Sequence, residues 1–486
     1  MFGSYVFEKT AAQYIKKLLL IDVDRLDETT HYTGKFKAHG FKVISYTDDL
    51  DFRIQYTKDL NGEEKLLILA HPGDYIPYDI QMKCRKETIS IETLFPRLNG
   101  SVLREEPNLD LELLTLAYQA DFDQHTERKQ TEAFIHNKML VRENVQAYLE
   151  RLYKDAFDKA ENAKGYRDWL ELAEAKAKID VMAAEYGIAI DTSQLNRDFC
   201  TYAMENFGKL SSEMRKEAPV LVSGVMDFVH ENSERAVILL MDGMSEFDWN
   251  ILKRSFQDIH YHQDAVFAMI PSTTSISRQC LLSGKYPSQL IEPWKQSKEK
   301  TEFYDRARTY GYKDNQIGYE RGYDASFSLF VKCGAVIILD IDELVHAQHQ
   351  GRVGMLNDDM VLMKQQKLAD LTNRLIQEGF DVYITADHGN TPSVGLGRLT
   401  GSGVEVETRS HKMVVLKDFA DKDSLKAKYG LLVYPKYYLP KDCDYLICNV
   451  GESLDIRGEQ VMTHGGISLD EVVVPFIIVR ERENNG

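Results

Sequence analysis

No window of the 486 residues approaches the roughly 18–20 uninterrupted apolar positions that a membrane-spanning helix requires, so no membrane association is expected. Cysteine is scarce as well. Six are scattered along the chain (Cys84, Cys200, Cys280, Cys333, Cys443 and Cys448) without one CxxC pair, a pattern that suits reduced thiols better than a disulfide framework. The opening "MFGSYVFEKTAAQYIKKLLLID" lacks the basic, then apolar, then small order of a signal peptide, and with the reduced thiols it sets a cytoplasmic expectation. Positive charge is also short. A net charge of −17 excludes a generic grip on duplex DNA, which needs many Lys and Arg facing phosphates. It leaves room for a local site where metal ions supply the positive charge. Neither GxxxxGK[ST] nor GxGxxG follows an apolar run in the first 110 residues, so no nucleotide site is expected there.

What remains is an ordinary globular composition, 43% hydrophobic and 28% charged, on a chain long enough for two or three domains. Three textures follow one another. Residues 1–110 alternate apolar runs, "KLLLIDV", "FKVISYT" and "KLLILAH", with turn signals such as Asn61-Gly62, and read as a small α/β domain. Residues 111–230 are charged and helical, as in "AEAKAKIDVMAAEYG" stopping at Gly187, and read as a helical linker or cap. From 231 to 486 short, wholly apolar runs recur: "AVILLMD", "AVFAMI", "AVIILDI", "DVYITAD" and "EVVVPFIIV". Continuous apolarity implies strands covered on both faces, hence a parallel sheet between helices. Met360, Met363, Leu368, Leu371 and Leu375 repeat at helical spacing up to Gly379 and are expected to be core packing. The expected fold class is α/β, a doubly wound and mostly parallel sheet preceded by the small α/β domain and the helical region.

Open parallel sheets bind ligands beyond the carboxyl ends of their strands. Asp242 follows the first run, Asp340, Asp342 and His346 the third, Asp387 and His388 the fourth, and His464 stands ahead of the last. A lone strand-end Asp is usually a cap or turn residue. Four ends carrying acids or imidazoles would, on neighbouring strands, gather the N and O ligands that hold divalent metals. Ser272, Thr273 and Thr274 precede a helical "SISRQCLL". A hydroxyl there normally caps the helix, yet the same position also stabilises an alkoxide or a phosphoryl group.

"LLMDGMS", the hydroxyl-rich segment leading to "SGKYP", "DELVH", "TADHG" and "THGGISLDEVVVP" occur in an order that resembles the alkaline phosphatase superfamily, and within it the PglZ domain family. The resemblance covers Met241–Val479, about half of the chain. It implies two divalent metal ions, zinc being the natural candidate for mixed imidazole and carboxylate ligands, with manganese the other. Asp242, Thr274, Asp387 and His388 would hold one ion, and Asp342, His346 and His464 the other. Thr274 would be the nucleophile rather than Thr273, because it lies ten residues ahead of Gly284, as in related phosphodiesterases. Two departures stand out. Val345 replaces the Gly usual before the histidine, which leaves Asp340 open against Asp342, and "SISRQ" replaces the usual Asn-His after the nucleophile. Arg278 is either a clamp on a phosphate oxygen or part of a solvated helix face. Arg409 and His411 in "TRSHKMVV" are either substrate-side groups or a charged strand entry.

The activity so implied is a two-metal phosphodiesterase acting on nucleotides or oligonucleotides, in a bacterial anti-phage (BREX-type) or signalling setting, with other proteins of a defence system as partners. The alternatives are a non-catalytic nucleotide-sensing or scaffold subunit, and a phosphomutase, disfavoured because no large inserted domain interrupts the motifs.

Overall fold

The structure, a computed structural model, describes residues 1–106, 109–399, 412–417 and 422–480. The chain divides into two compact units, Met1–Tyr148 and Leu149–Gly486. The helical stretch expected over 111–230 is shared between them: Leu111–Ala120 and Arg128–Phe134 lie in the first, Tyr166–Glu185 and Ser193–Asn206 in the second.

The first unit is built on a parallel sheet of β1 (Lys17–Asp22), β2 (Phe41–Ser45), β3 (Lys65–Ala70) and β4 (Arg85–Ile89), in the order β2-β3-β1-β4. The three apolar runs became β1 to β3. The fourth strand, "RKETI", is charged and mostly exposed, as befits an edge, and carries little apolar signal. Acids at the carboxyl ends are committed to local structure here. Asp48 caps the helix Asp49–Asn61 by accepting from Asp51 N–H, and Asp24 accepts from Ile91 N–H and binds Arg104. Asp22 takes the Asp27 N–H and the Tyr32 hydroxyl on one oxygen.

In the second unit six strands make one sheet: β5 (Ala236–Met241), β6 (Tyr261–Phe267), β7 (Ile317–Arg321), β8 (Cys333–Ile338), β9 (Asp381–Thr385) and β16 (Val473–Val479), in the order β6-β16-β9-β5-β8-β7. β5, β8 and β9 are buried along nearly their whole length, which is why their sequences are apolar without alternation. β5, β7, β8 and β9 are parallel, while β16 runs antiparallel to both β9 and β6. A single reversed strand in a mostly parallel sheet therefore brings the chain ahead of β16 to the same edge as the chain that leaves the others.

Six shorter strands, β10 (Thr391–Gly395), β11 (Met413–Leu416), β12 (Leu432–Val433), β13 (Asp444–Ile447), β14 (Glu452–Ser453) and β15 (Gln460–Thr463), form two small sheets. The helices Tyr166–Glu185, Glu246–Leu252 and Gly351–Gln365 pack on one another. The expected Met and Leu stripe is corrected by the structure. The helix breaks at Gln366, where φ is +56°, so Leu368, Leu371 and Leu375 are buried on the second piece while Met360 and Met363 stay half-exposed on the first.

Candidate metal centre

Asp242 follows β5, Asp387 and His388 leave β9, and the helix Asp340–Ala347 after β8 carries Asp342 and His346. The reversal of β16 adds His464, and the segment leaving β6 adds Thr274. These side chains assemble as two groups. Asp242, Asp387 and His388 are all buried, and each offers a ligand atom within 4.8 Å of the others, as do Asp342, His346 and His464. His388 Nε2 stands 3.8 Å from Asp242 Oδ1 and 3.9 Å from Asp387 Oδ2. Asp342 Oδ1 is 3.4 Å from both His346 Nε2 and His464 Nε2. The two groups adjoin, since the His388 and His464 rings stack with centroids 4.0 Å apart. Asp340 belongs to neither group and lies near the Tyr323 hydroxyl.

Thr274 opens a π-helical turn (Thr274–Arg278), whose N-cap residue Thr273 makes no side-chain capping hydrogen bond. Its Oγ1 lies 3.0 Å from His388 Nε2 and 3.5 Å from Asp242 Oδ1, and the residue is half-exposed. Thr273 is buried; its hydroxyl meets Ser275, and its carbonyl accepts from Ile276 and Ser277 N–H. The two threonines are thus divided between structure and site.

The ring nitrogens are oriented from behind. His464 Nδ1 is 3.0 Å from the Ser272 carbonyl and His388 Nδ1 is 3.1 Å from the Gly389 carbonyl, so each presents Nε2 to the site. Ser272 Oγ also accepts from Gly465 N–H and donates to the Gly466 carbonyl. Beneath the same turn Glu471 accepts the Gly466 and Ser468 N–H groups and pairs with Lys412 at 3.2 Å. Lys412, also within "TRSHKMVV", is buried. Arg409 and His411 themselves lie outside the described residues.

Arg278 does not lie on a solvated helix face. It is fully buried, with Nη1 2.7 Å from Asp242 Oδ2 and Nε 2.7 Å from Glu299 Oε2. Glu299 in turn accepts from Tyr319 and Arg321. Arg278, at the end of the π-helical turn, thus holds a carboxylate rather than facing solvent. Glu299 carried no signal in the sequence. Ser272 was visible only as one hydroxyl among several, and Asn390 only as the last letter of "ITADHGN".

The charges are poorly balanced as they stand. Burial, and then the neighbouring Asp242, push Asp387 well above the usual carboxylate range, and burial raises Asp242 against the pull of Arg278. Burial, then His464, push His388 well below the usual imidazole range. Burial alone would raise Asp342, yet the three imidazoles hold it below its ordinary range, while Asp342 lifts His464 against the effect of burial. Asp387 Oδ2, Asp342 Oδ1 and His464 Nε2 are buried without a hydrogen-bond partner. Three carboxylates, three imidazoles and these orphaned ligand atoms fit divalent cations, which would take the place of protons.

Fold and site together define a mostly parallel α/β domain with a cluster of metal-ligand chemistry on its carboxyl edge. Residues 335–479 match the family model for the BREX system PglZ alkaline phosphatase-like domain, and the resemblance seen in the motifs is borne out over that span. Among solved structures, murine ectonucleotide pyrophosphatase / phosphodiesterase 5 is similar at 12% identity over 51% of this chain and 88% of that one, with a TM-score of 0.36. Phosphonoacetate hydrolase from Sinorhizobium meliloti 1021, in complex with phosphonoformate, is similar at 13% identity over 52% and 92%, with a TM-score of 0.34. No curated protein matches the chain.

Proposed function

We propose that the chain is a metal-dependent phosphohydrolase of the alkaline phosphatase type, a phosphodiesterase on nucleotides or oligonucleotides, working in a BREX-type anti-phage system alongside other proteins of that system. The observation that carries this reading is the Thr274 hydroxyl, half-exposed and 3.0 Å from His388 Nε2, at the rim of two adjoining ligand groups.

Asp242, Thr274, Asp387 and His388 would hold one divalent ion, and Asp342, His346 and His464 the other, with zinc favoured by the donor set. Such ions supply Lewis-acid chemistry: a more acidic hydroxyl and neutralised phosphate charge. The protein's own groups do the positioning. Arg278 ties up Asp242 Oδ2, which leaves Oδ1 turned to Thr274. The Thr274 proton passes to solvent at the half-exposed rim, because His388 Nε2 and Asp242 Oδ1 are the lone pairs that would hold the ion. The phosphorus–Oγ1 bond forms as the leaving alkoxide departs, and water then displaces the phosphoryl group from Thr274, restoring the hydroxyl. Arg409 and His411 remain proposed substrate-side groups.

The test is hydrolysis of a nitrophenyl phosphodiester and a nitrophenyl phosphomonoester by the purified chain, with and without chelator, beside Thr274→Ala. Faster turnover of the diester, abolished by chelator and by Thr274→Ala with bound ions retained, is the expected result. Wild-type rates in Thr274→Ala would remove the nucleophile assignment. Ions bound without turnover of either ester would replace catalysis by a nucleotide-sensing or scaffold role.

A further inference from the structure

We propose that Asn390 is a positioning residue that sets the spacing of the Asp242, Asp387 and His388 group and thereby its affinity for a divalent cation. The proposal rests on the cation-binding reading given above. Asn390 is fully buried. Its Nδ2 donates to the Gly243 carbonyl at 3.0 Å and to Asp248 Oδ2 at 2.6 Å, and its Oδ1 accepts from Arg352 Nη1 at 3.3 Å. Both amide protons and the amide oxygen are therefore engaged, and none is left for an ion. Asn390 acts through its neighbours.

Those neighbours are the ligand loops themselves. Gly243 directly follows Asp242. Its N–H donates to Asp387 Oδ1 at 3.3 Å while its carbonyl accepts from Asn390, so the loop after β9 grips this residue from both sides. Asp387 Oδ1 also takes the His388 N–H at 3.1 Å, which leaves Oδ2 as the oxygen without a partner. Loss of the Asn390 amide would free the Gly243 carbonyl and with it the distance between Asp242 and Asp387.

The amide is held from behind by a buried chain of polar groups. Asp248 Oδ2 accepts from Ser245 N–H at 2.7 Å and Ser245 Oγ at 2.8 Å as well as from Asn390. The fully buried Asp359 lies beside Asp248, and burial, then that carboxylate, push Asp359 well above the carboxylate range. Arg352 Nη2 continues to Asp470 at 3.1 Å. Acceptors on one side and a guanidinium on the other fix which end of the amide faces which neighbour. Aspartate has the right shape but no donor for two acceptors, and serine is too short to reach both.

The test is titration of metal-free wild type and Asn390→Ala with cobalt(II), read from the visible bands, and with zinc against a competing chelator. Wild type is expected to take two ions. In Asn390→Ala one ion should weaken about 10- to 100-fold, the usual effect of losing an outer-shell partner, with its cobalt bands shifted. The ion at Asp342, His346 and His464 should keep its affinity, which also reports that the domain is folded. Wild-type affinity and bands for both ions in Asn390→Ala would overturn the proposal. A wild-type chain that takes up no ion would overturn the cation reading and this proposal with it. Should Asn390→Ala not fold, Ser245→Ala removes another donor to the same Asp248 oxygen. It is expected to weaken the same ion by a smaller factor, and an unchanged titration would count against the proposal.

Discussion

At Gly389 an added Cβ would stand 2.1 Å from the Asp470 carbonyl oxygen and 3.0 Å from Ser245 Cβ. Even an alanine must displace backbone there, so Gly389→Ala is expected to cost on the order of 1–3 kcal/mol of stability, measured as a shift of the urea midpoint at unchanged slope. The sequence suggests a glycine that lets the "DHG" turn form. The structure shows a glycine that makes room, and a carbonyl so distant along the chain leaves no trace in the local pattern. Gly243, by contrast, does take a left-handed conformation, with φ +75°, in the turn after Asp242. The candidate ligand residues were legible because each lies close to a short, wholly apolar run. Arg278 was not, because a polar "SISRQ" on a short helix looks the same whether the arginine faces water or lies behind a carboxylate.

Among the elements, the runs that became β5, β8 and β9 were plain in the sequence because burial on both faces leaves no other composition. The direction of β16 was not, since apolarity records burial and not polarity of the chain. β7, "IGYER", ends charged and exposed and so carries no sustained apolar run, and of the six strands in the small sheets only β11 was marked, by the strand entry at "TRSHKMVV". Helix Tyr166–Glu185 shows how such pieces are locked together. Lys176, buried on it, binds Asp470 at 2.8 Å, and Asp470 also takes Asn196 and Arg352. Burial alone would raise Asp470, but Lys176 and Arg352 hold it below the ordinary carboxylate range. Its folded value lies below its unfolded one, so this contribution is present above pH ~4 and is lost as pH falls below that. Lys176→Met should leave Asp470 buried with less compensation and destabilise the domain by about 3–5 kcal/mol near neutral pH. The loss should shrink toward pH 3 as the carboxylate protonates, which urea midpoints across that range would show. An equal loss at every pH would contradict it.

For the molecule as a whole, every residue of the candidate centre lies in the unit Leu149–Gly486. The helix Arg142–Glu161 runs across the start of that unit, so a chain beginning just ahead of Arg142 keeps the helix whole. Such a chain is expected to retain the full complement of ions, because a compact unit with its own core folds by itself. With a net charge of −17, bound cations would be the means by which the proposed phosphoester substrate is drawn to this surface. On this reading, residues from separate strand ends form two adjoining ion sites beside Thr274. The most direct test is the number of divalent ions per chain, counted by native mass spectrometry in wild type, His388→Ala, His464→Ala and Thr274→Ala. Two ions are expected in wild type, one in each histidine variant and two in Thr274→Ala. A wild type without ions, or two ions in both histidine variants, would contradict it.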